Sequence, residues 1–317
     1  MIQHIKNRIR KITPGFYSFL EYNKGRIKTC YNFWCYVRMK DSDYPKYLKR
    51  IPKRHMGDKL NLENPKTLNE KIQWLKCYYH DPLITKCSDK YLVRDYIYEK
   101  VGEEYLVPLL GVWNNEEEID FSSLPDKFVL KVNWGSGQNI VCKDKTSLNI
   151  QDTKEKLNHW LQPTSNHYYN FLEWGYKNIE PKIICEKYIE QFSGDLYDYK
   201  IFCYNGEPKN LFVAIDRSIH QTKFNYYDLD WNFLPFTQHY PNFHKVISIP
   251  KSYSKMLEIS RILSKPFPYA RVDFYDTDDQ LFIGEITFYH FGGVTKFEPK
   301  KWDYYFGECL ELPQKLL

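Results

Sequence analysis

The chain has 317 residues, 43% of them hydrophobic and 18% aromatic, with a mean hydropathy of −0.62. That is enough apolar material for two or three packed lobes, yet no run approaches the roughly 18 apolar residues of a membrane span. The net charge of +5 conceals an asymmetry: residues 1–54 hold 14 Lys/Arg against Glu21, Asp41 and Asp43, a net of +11, leaving 31 basic and 37 acidic residues, a net of −6, for the rest. An acidic body opposes a phosphate backbone, so no nucleic-acid partner is expected. The eight cysteines are scattered without C-x-x-C spacing and read as reduced core residues, with no disulfide frame or zinc site.

The N-terminal stretch MIQHIKNRIRKITPG sets Ile2, Ile5, Ile9 and Ile12 at helical spacing with Lys6, Arg8, Arg10 and Lys11 between them. It has no continuous apolar core, so no cleaved secretory signal is expected. Phe16, Tyr17, Phe19, Leu20, Phe33 and Trp34 follow. Two readings stay open: a basic amphipathic segment on an anionic membrane surface, or isoleucines packed on the body with solvated lysines. The expected location is cytoplasmic, with peripheral contact at the inner membrane face through residues 1–54.

Thr67-Leu-Asn-Glu70 is a capping-box pattern ahead of Leu68, Ile72 and Leu75. A second helix is expected from Ser88-Asp89 through Leu92, Val93, Tyr96 and Ile97 to Gly102, making residues 55–105 a helical lead-in. Strands dominate beyond it: 128–132, 140–143, 183–189, 199–204, 210–215, 270–276 and 281–287, with helices over 151–162 and 252–264. Asn205-Gly206 is a hairpin turn signal. Hairpins separated by helices predict an α+β fold.

Three stretches carry chemistry. In FVLKVNWGSGQNIV, Lys131 interrupts an apolar strand and Gly135-Ser136-Gly137 follows it. The loop returns into a strand, which disfavours a Walker or Rossmann loop; a β-loop-β flap over phosphate or an ordinary tight hairpin remains. In ARVDFYDTDDQLFIGEIT, pairing Thr277 with Leu281 sets Asp273 opposite Glu285 and Arg271 opposite Thr287 on one face. Like charges directly opposite destabilise a sheet, so two carboxylates there suit a cation, and oxygen donors suit Mg²⁺. In the central stretch a strand ends in Glu186-Lys187-Tyr188-Ile189, and a hairpin carries Asp198, Lys200 and Arg217. Cations there would neutralise a triphosphate; solvated salt bridges are the plainer reading.

Taken in order, these motifs resemble the ATP-grasp superfamily, and within it the TupA-like branch, named after a teichuronopeptide biosynthesis protein. The resemblance spans roughly residues 60–315 through NPKTLNEKIQWLK, SDKYLVRDY, FVLKVNWGSG, DYKIFCYNGEPK, FPYARVDFY, GEITFY and KFEPKKWD. It implies an ATP-grasp fold of two α+β subdomains sandwiching a nucleotide, 106–185 and 186–317, after the lead-in at 55–105 and the basic segment 1–54. It also implies ATP and Mg²⁺ as cofactors and ligation of a carboxylate to an amine through an acyl phosphate.

By resemblance, Lys90 and Lys131 contact ATP phosphates, Gly135, Ser136 and Gly137 form the flap, and Glu186 to Ile189 form the adenine hinge. Asp198 is the ribose candidate, with Glu190 and Asp195 as competitors. Lys200 and Arg217 are phosphate or substrate cations. Asp273, Glu285 and Thr287 are metal ligands, and Arg271 steadies the oxyanion. Thr287 stands where many such ligases carry Asn. His290-Phe291 stands where the branch usually has Pro, which makes His290 a candidate substrate contact or base. The implied substrates are a sugar carboxylate and an amino acid or amine in surface-polysaccharide assembly, with a lipid-linked glycan as a partner. A glycosyltransferase-like enzyme or a non-catalytic scaffold of the same fold are the rival readings.

Overall fold

A computed structural model describes residues 31–56, 59–189, 197–215, 222–243, 245–277 and 279–317. The isoleucine-bearing stretch 1–30, Glu190, Asp195 and Arg217 lie outside the described residues. Beyond the helical stretch 31–37, the α-helices among the described residues are α1 (Tyr44–Leu48), α2 (Arg50–His55), α3 (Leu68–Tyr78), α4 (Pro82–Ser88), α5 (Val93–Val101), α6 (Ile150–Leu161), α7 (Tyr168–Phe171), α8 (Tyr253–Ser264) and α9 (Lys301–Cys309). Helix α3 begins at the expected capping box: Thr67 Oγ1 accepts from the Glu70 N–H at 3.2 Å, and Glu70 Oε2 accepts from the Thr67 N–H at 3.1 Å. Two orphan donors are satisfied reciprocally.

The helix expected from Ser88-Asp89 starts later. Helix α4 ends at Ser88, and the Asp89 carboxylate accepts from the Tyr91 and Leu92 N–H groups at 2.8 and 3.3 Å. This local turn competes with helix, so α5 starts only at Val93.

Among the described residues, ten strands form two antiparallel sheets. The smaller has the order β1 (Leu109–Trp113), β4 (Ile183–Lys187), β2 (Phe128–Val132), β3 (Asn139–Cys142). The larger has the order β10 (Leu281–Thr287), β9 (Tyr269–Asp276), β5 (Asp198–Tyr204), β6 (Glu207–Ile215), β7 (Lys223–Asp228), β8 (Phe233–Leu234). At the β5–β6 turn Asn205 and Gly206 both take left-handed φ, +50° and +82°, as a primed hairpin turn requires.

Among the described residues the buried apolar side chains form two cores. One, including Phe128, Leu130, Leu157 and Ile183, lies under the four-stranded sheet and α6. The other gathers Val272, Phe274 and Ile286 with Ile72 of α3 and Ile97 of α5. The lead-in helices therefore share the core of the six-stranded sheet.

The β9–β10 hairpin departs from its expected register at the tip. Thr277 Oγ1 accepts from the Gln280 N–H at 2.9 Å, and Thr277 N donates to the Gln280 carbonyl at 3.0 Å. This closes a turn from 277 to 280, and Leu281 pairs with Asp276 instead of Thr277. A bulge at Gly284 takes up the one-residue offset. Below it Glu285 faces Asp273 and Thr287 faces Arg271, the pairs expected from the sequence. A single extra residue in one strand resets the ladder in this way.

Candidate active site

The six-stranded sheet presents a polar cluster on one face and packs the other on apolar residues. Alternation puts Val272 and Phe274, both fully buried, on the packed side. Arg271 and Asp273 therefore share the opposite side. Strand β5 adds Lys200, paired directly with Asp273 across the ladder.

Arg271 is the hub of this cluster. Its Nε donates to Asp273 Oδ1 at 2.6 Å and its Nη2 to Asp273 Oδ2 at 2.7 Å. The same Nη2 reaches Glu285 Oε1 and Thr287 Oγ1, each at 3.0 Å. Nη1 contacts His290 Nδ1 at 2.8 Å. Lys200 donates to Asp273 Oδ2 and lies 2.8 Å from Asp198 Oδ2. Burial pushes the Asp273 carboxyl up to about 6 against the pull of Arg271 and Lys200. At Glu285 burial also opposes ionisation, but Lys90, Arg271 and Lys200 outweigh it and hold the acid below the usual carboxylate range. Environments that separate two neighbouring carboxyls give them different roles.

Lys90 connects this cluster to the smaller sheet. It donates to the Gly135 carbonyl and feels both Glu285 and Glu186; burial, the largest influence, lowers its ammonium below the usual lysine value. Lys131 on β2 donates to Glu186 Oε2 on β4, and Arg94 approaches Glu186 Oε1 at 3.5 Å. The anionic partner that Lys131 requires is thus supplied by the chain itself. Gly135 is buried, whereas Ser136 and Gly137 are exposed at the tip of the β2–β3 loop, with Gly137 at φ +73°. The Lys187 N–H is taken by the Pro108 carbonyl at 2.9 Å. Tyr188 and Ile189 continue half-buried beyond β4.

His290 is held from both sides of its ring. It is 1% exposed and both ring nitrogens are occupied. Arg271 can only donate, so Nδ1 accepts, and Nε2–H donates to Gln238 Oε1 at 3.1 Å. Gln238 Nε2 in turn donates to the Thr295 carbonyl at 3.1 Å. Burial, then Arg271 and Lys200, hold the imidazole pKa well below its usual value. Such a ring is neutral and has no free nitrogen with which to act as a base.

Lys76 and Gln73 of α3 hold the loop that carries His290. Lys76 Nζ donates to the Gly292 carbonyl at 2.6 Å, and Gln73 Nε2 to the Gly292 and Gly293 carbonyls at 2.7 and 2.9 Å. Those carbonyls are presented by a left-handed run at Phe291, Gly292 and Gly293. Arg94, Gln238, Gln73 and Lys76 were not expected from the sequence, because their partners lie far away in the chain. The only local signal was a lysine and a glutamine on the apolar face of α3.

The oxygen donors of Asp273, Glu285 and Thr287 suit a hard cation such as Mg²⁺. Both Asp273 oxygens already accept from Arg271 or Lys200, and among the described residues no three His, Cys, Asp or Glu form a metal-holding group. The set therefore fits a cation that arrives with phosphate oxygens better than an all-protein cage. A separate cavity of about 150 Å³ lies between the start of α3 and α9, lined by residues such as Asn69 and Asp303, and contains none of this cluster.

The TupA-like ATPgrasp family model matches residues 70–311. Among solved structures the chain is similar to D-alanine–D-alanine ligase from Bacillus anthracis, at 17% identity over 63% of this chain and 56% of that one, with a TM-score of 0.40. It is also similar to the Helicobacter pylori D-alanine–D-alanine ligase (14% identity, 71% and 61% covered, TM-score 0.38) and to phosphoribosylamine–glycine ligase from Thermotoga maritima (10%, 65% and 48%, TM-score 0.36). The match thus spans little more than half the length of the first of these ligases. A comparison with curated proteins returns no match.

Proposed function

The chain belongs to the TupA-like ATP-grasp family, and from that premise we propose that it is an ATP- and Mg²⁺-dependent carboxylate–amine ligase of bacterial surface-polysaccharide assembly. The γ-phosphoryl group of ATP would pass to a carboxylate oxygen with release of ADP. An amine nitrogen would then attack the carbonyl carbon, releasing phosphate and forming an amide. A uronic acid and an amino acid or small amine are the proposed substrates. The two subdomains around the nucleotide would be residues 106–187 and 188–317, the expected boundary at 185/186 moving past Lys187 because β4 pairs with β1 and β2, with residues 1–54 near an anionic membrane surface that carries a lipid-linked glycan.

One observation carries the reading: Asp273 and Glu285 face each other across β9–β10, with Arg271, Lys200 and Lys90 gathered around them. Asp273, Glu285 and Thr287 would hold Mg²⁺, which would neutralise phosphate charge and align the phosphoryl group for transfer. Lys90 and Lys131 would exchange their Gly135 and Glu186 partners for phosphate oxygens. The flap of Gly135, Ser136 and Gly137 would cover them and limit water, while Glu186 to Ile189 would border the base and Asp198 the ribose. Lys200 would orient the reacting oxygens. Arg271, fixed by His290, would steady the charge developing on the attacked carbonyl.

The test is incubation with ATP, Mg²⁺, a UDP-uronate and a panel of amines. ADP release that requires both the acid and the amine supports the ligase. UDP release without ATP would replace it with a transferase. No ATP–Mg²⁺ binding by folded protein in calorimetry would point to a scaffold.

A further inference from the structure

The helical stretch 31–37 is apolar on two sides. Phe33 and Tyr36 turn inward: Phe33 meets Tyr169 edge-on at 4.8 Å, and Tyr36 meets Tyr47 at 5.6 Å. Tyr31, Trp34 and Val37, three residues apart, form the other side and are 64%, 59% and 54% exposed. A surface helix ordinarily turns polar residues to water on its outer face. This one turns large apolar side chains outward.

The surrounding charge identifies the occupant. The Arg38 guanidinium lies over the Trp34 ring at 4.6 Å, and the Arg50 guanidinium over Tyr47 at 5.4 Å. Lys40, Lys46, Lys49 and Arg50 are exposed close by in the chain. Residues 31–50 hold five basic side chains against Asp41 and Asp43. Tryptophan and tyrosine prefer the headgroup level, where an aromatic body and polar tip are both satisfied, and neighbouring cations attract anionic lipid. A protein partner with an apolar patch would not need this local excess of positive charge.

We infer that Tyr31, Trp34 and Val37, flanked by Arg38, are the surface through which the chain docks on an anionic lipid bilayer. The inference rests on the proposed membrane-surface location of residues 1–54 and names the side chains that enter the interface. No helix among the described residues is long and apolar enough to cross a membrane, so the contact lies in the interfacial plane. The catalytic cluster lies on other elements, and ATP turnover does not depend on the docking face.

Full-length protein is sedimented with phosphatidylcholine vesicles and with phosphatidylcholine vesicles containing phosphatidylglycerol. The wild type is expected to pellet with the anionic vesicles only, less so at high salt. The triple variant Tyr31→Ser/Trp34→Ser/Val37→Ser is expected to lose about tenfold or more in vesicle affinity, with unchanged melting and unchanged ATP binding. Equal pelleting of wild type and variant would overturn the assignment of the face while leaving membrane association intact. No pelleting of the wild type would overturn both and leave the ligase reading to its own assay. A wild-type dimer in sedimentation equilibrium that the variant converts to monomer would assign the face to a second copy instead.

Discussion

Arg271 uses all three guanidinium nitrogens, on Asp273, Glu285, Thr287 and His290. An ammonium has one charged atom and cannot reproduce this planar fork. Arg271→Lys is therefore expected to keep the charge and still lose about a hundredfold or more in ATP-dependent turnover; near-wild-type turnover would contradict a geometric role. On the proposed reading, His290 acts through Arg271. In His290→Asn the amide oxygen can still accept from the guanidinium, so most activity is expected to survive, whereas His290→Leu leaves Nη1 unpaired and should behave like Arg271→Lys. Since His290 is held neutral, the pH–rate profile of the wild type should carry no limb that His290→Asn removes.

Lys76 couples folding stability to pH. It is fully buried, and burial lowers its ammonium from 10.5 to about 8. Between those values the unfolded chain holds a proton that the folded chain has released, so stability rises with pH through this window. Against Lys76→Met, the wild type should gain roughly 1–2 kcal/mol between pH 8 and pH 9.5, read by urea unfolding at both pH values. The shared tyrosine titrations cancel in the difference. A gap that does not change with pH would refute it.

At the scale of elements, the β9–β10 hairpin depends on its bulge. A Cβ built on Gly284 would stand 2.9 Å from Cε2 of the Tyr275 ring, so any side chain there forces the ring to move. Gly284→Val should cost about 1–3 kcal/mol, measured as a lower urea midpoint. An unchanged midpoint would mean that the ring yields freely. This hairpin also marks the limit of sequence reading. Period-two alternation identified the shared face of Arg271, Asp273, Glu285 and Thr287, because the packed face had to be apolar. The Thr277–Gln280 closure and the compensating bulge are two opposite one-residue events, and pattern alone detects neither. The capping box of α3 was legible because both of its bonds lie within four residues. The late start of α5 was not, because the Asp89 turn and a helix cap look alike in sequence.

At the scale of the molecule, the cluster joins two sheets with separate cores. Lys131 and Glu186 belong to the smaller sheet, Arg271 and Asp273 to the larger, and Lys90 from the α4–α5 connection feels both. If the nucleotide lies between the sheets as proposed, Lys131→Met should weaken ATP–Mg²⁺ binding by about ten- to a hundredfold with little change in melting temperature. Calorimetry beside a thermal melt checks this, and unaltered affinity would move the phosphate site elsewhere.

What the sequence determined by itself were the properties carried by local chemistry. Side-chain alternation and turn residues specified most strands, capping atoms specified the start of α3, and seven motif stretches in order pointed to the family. Tertiary structure alone decided which groups meet. His290 bridges Arg271 and Gln238 because its two nitrogens find partners 19 and 52 residues away. Lys131 has an anion at hand because β2 lies beside β4, and Gln73 and Lys76 hold the His290 loop from more than 200 residues away. Hydrogen bonds and charge are read over a few ångströms of space, and chain folding, not spacing in sequence, brings such partners within that range.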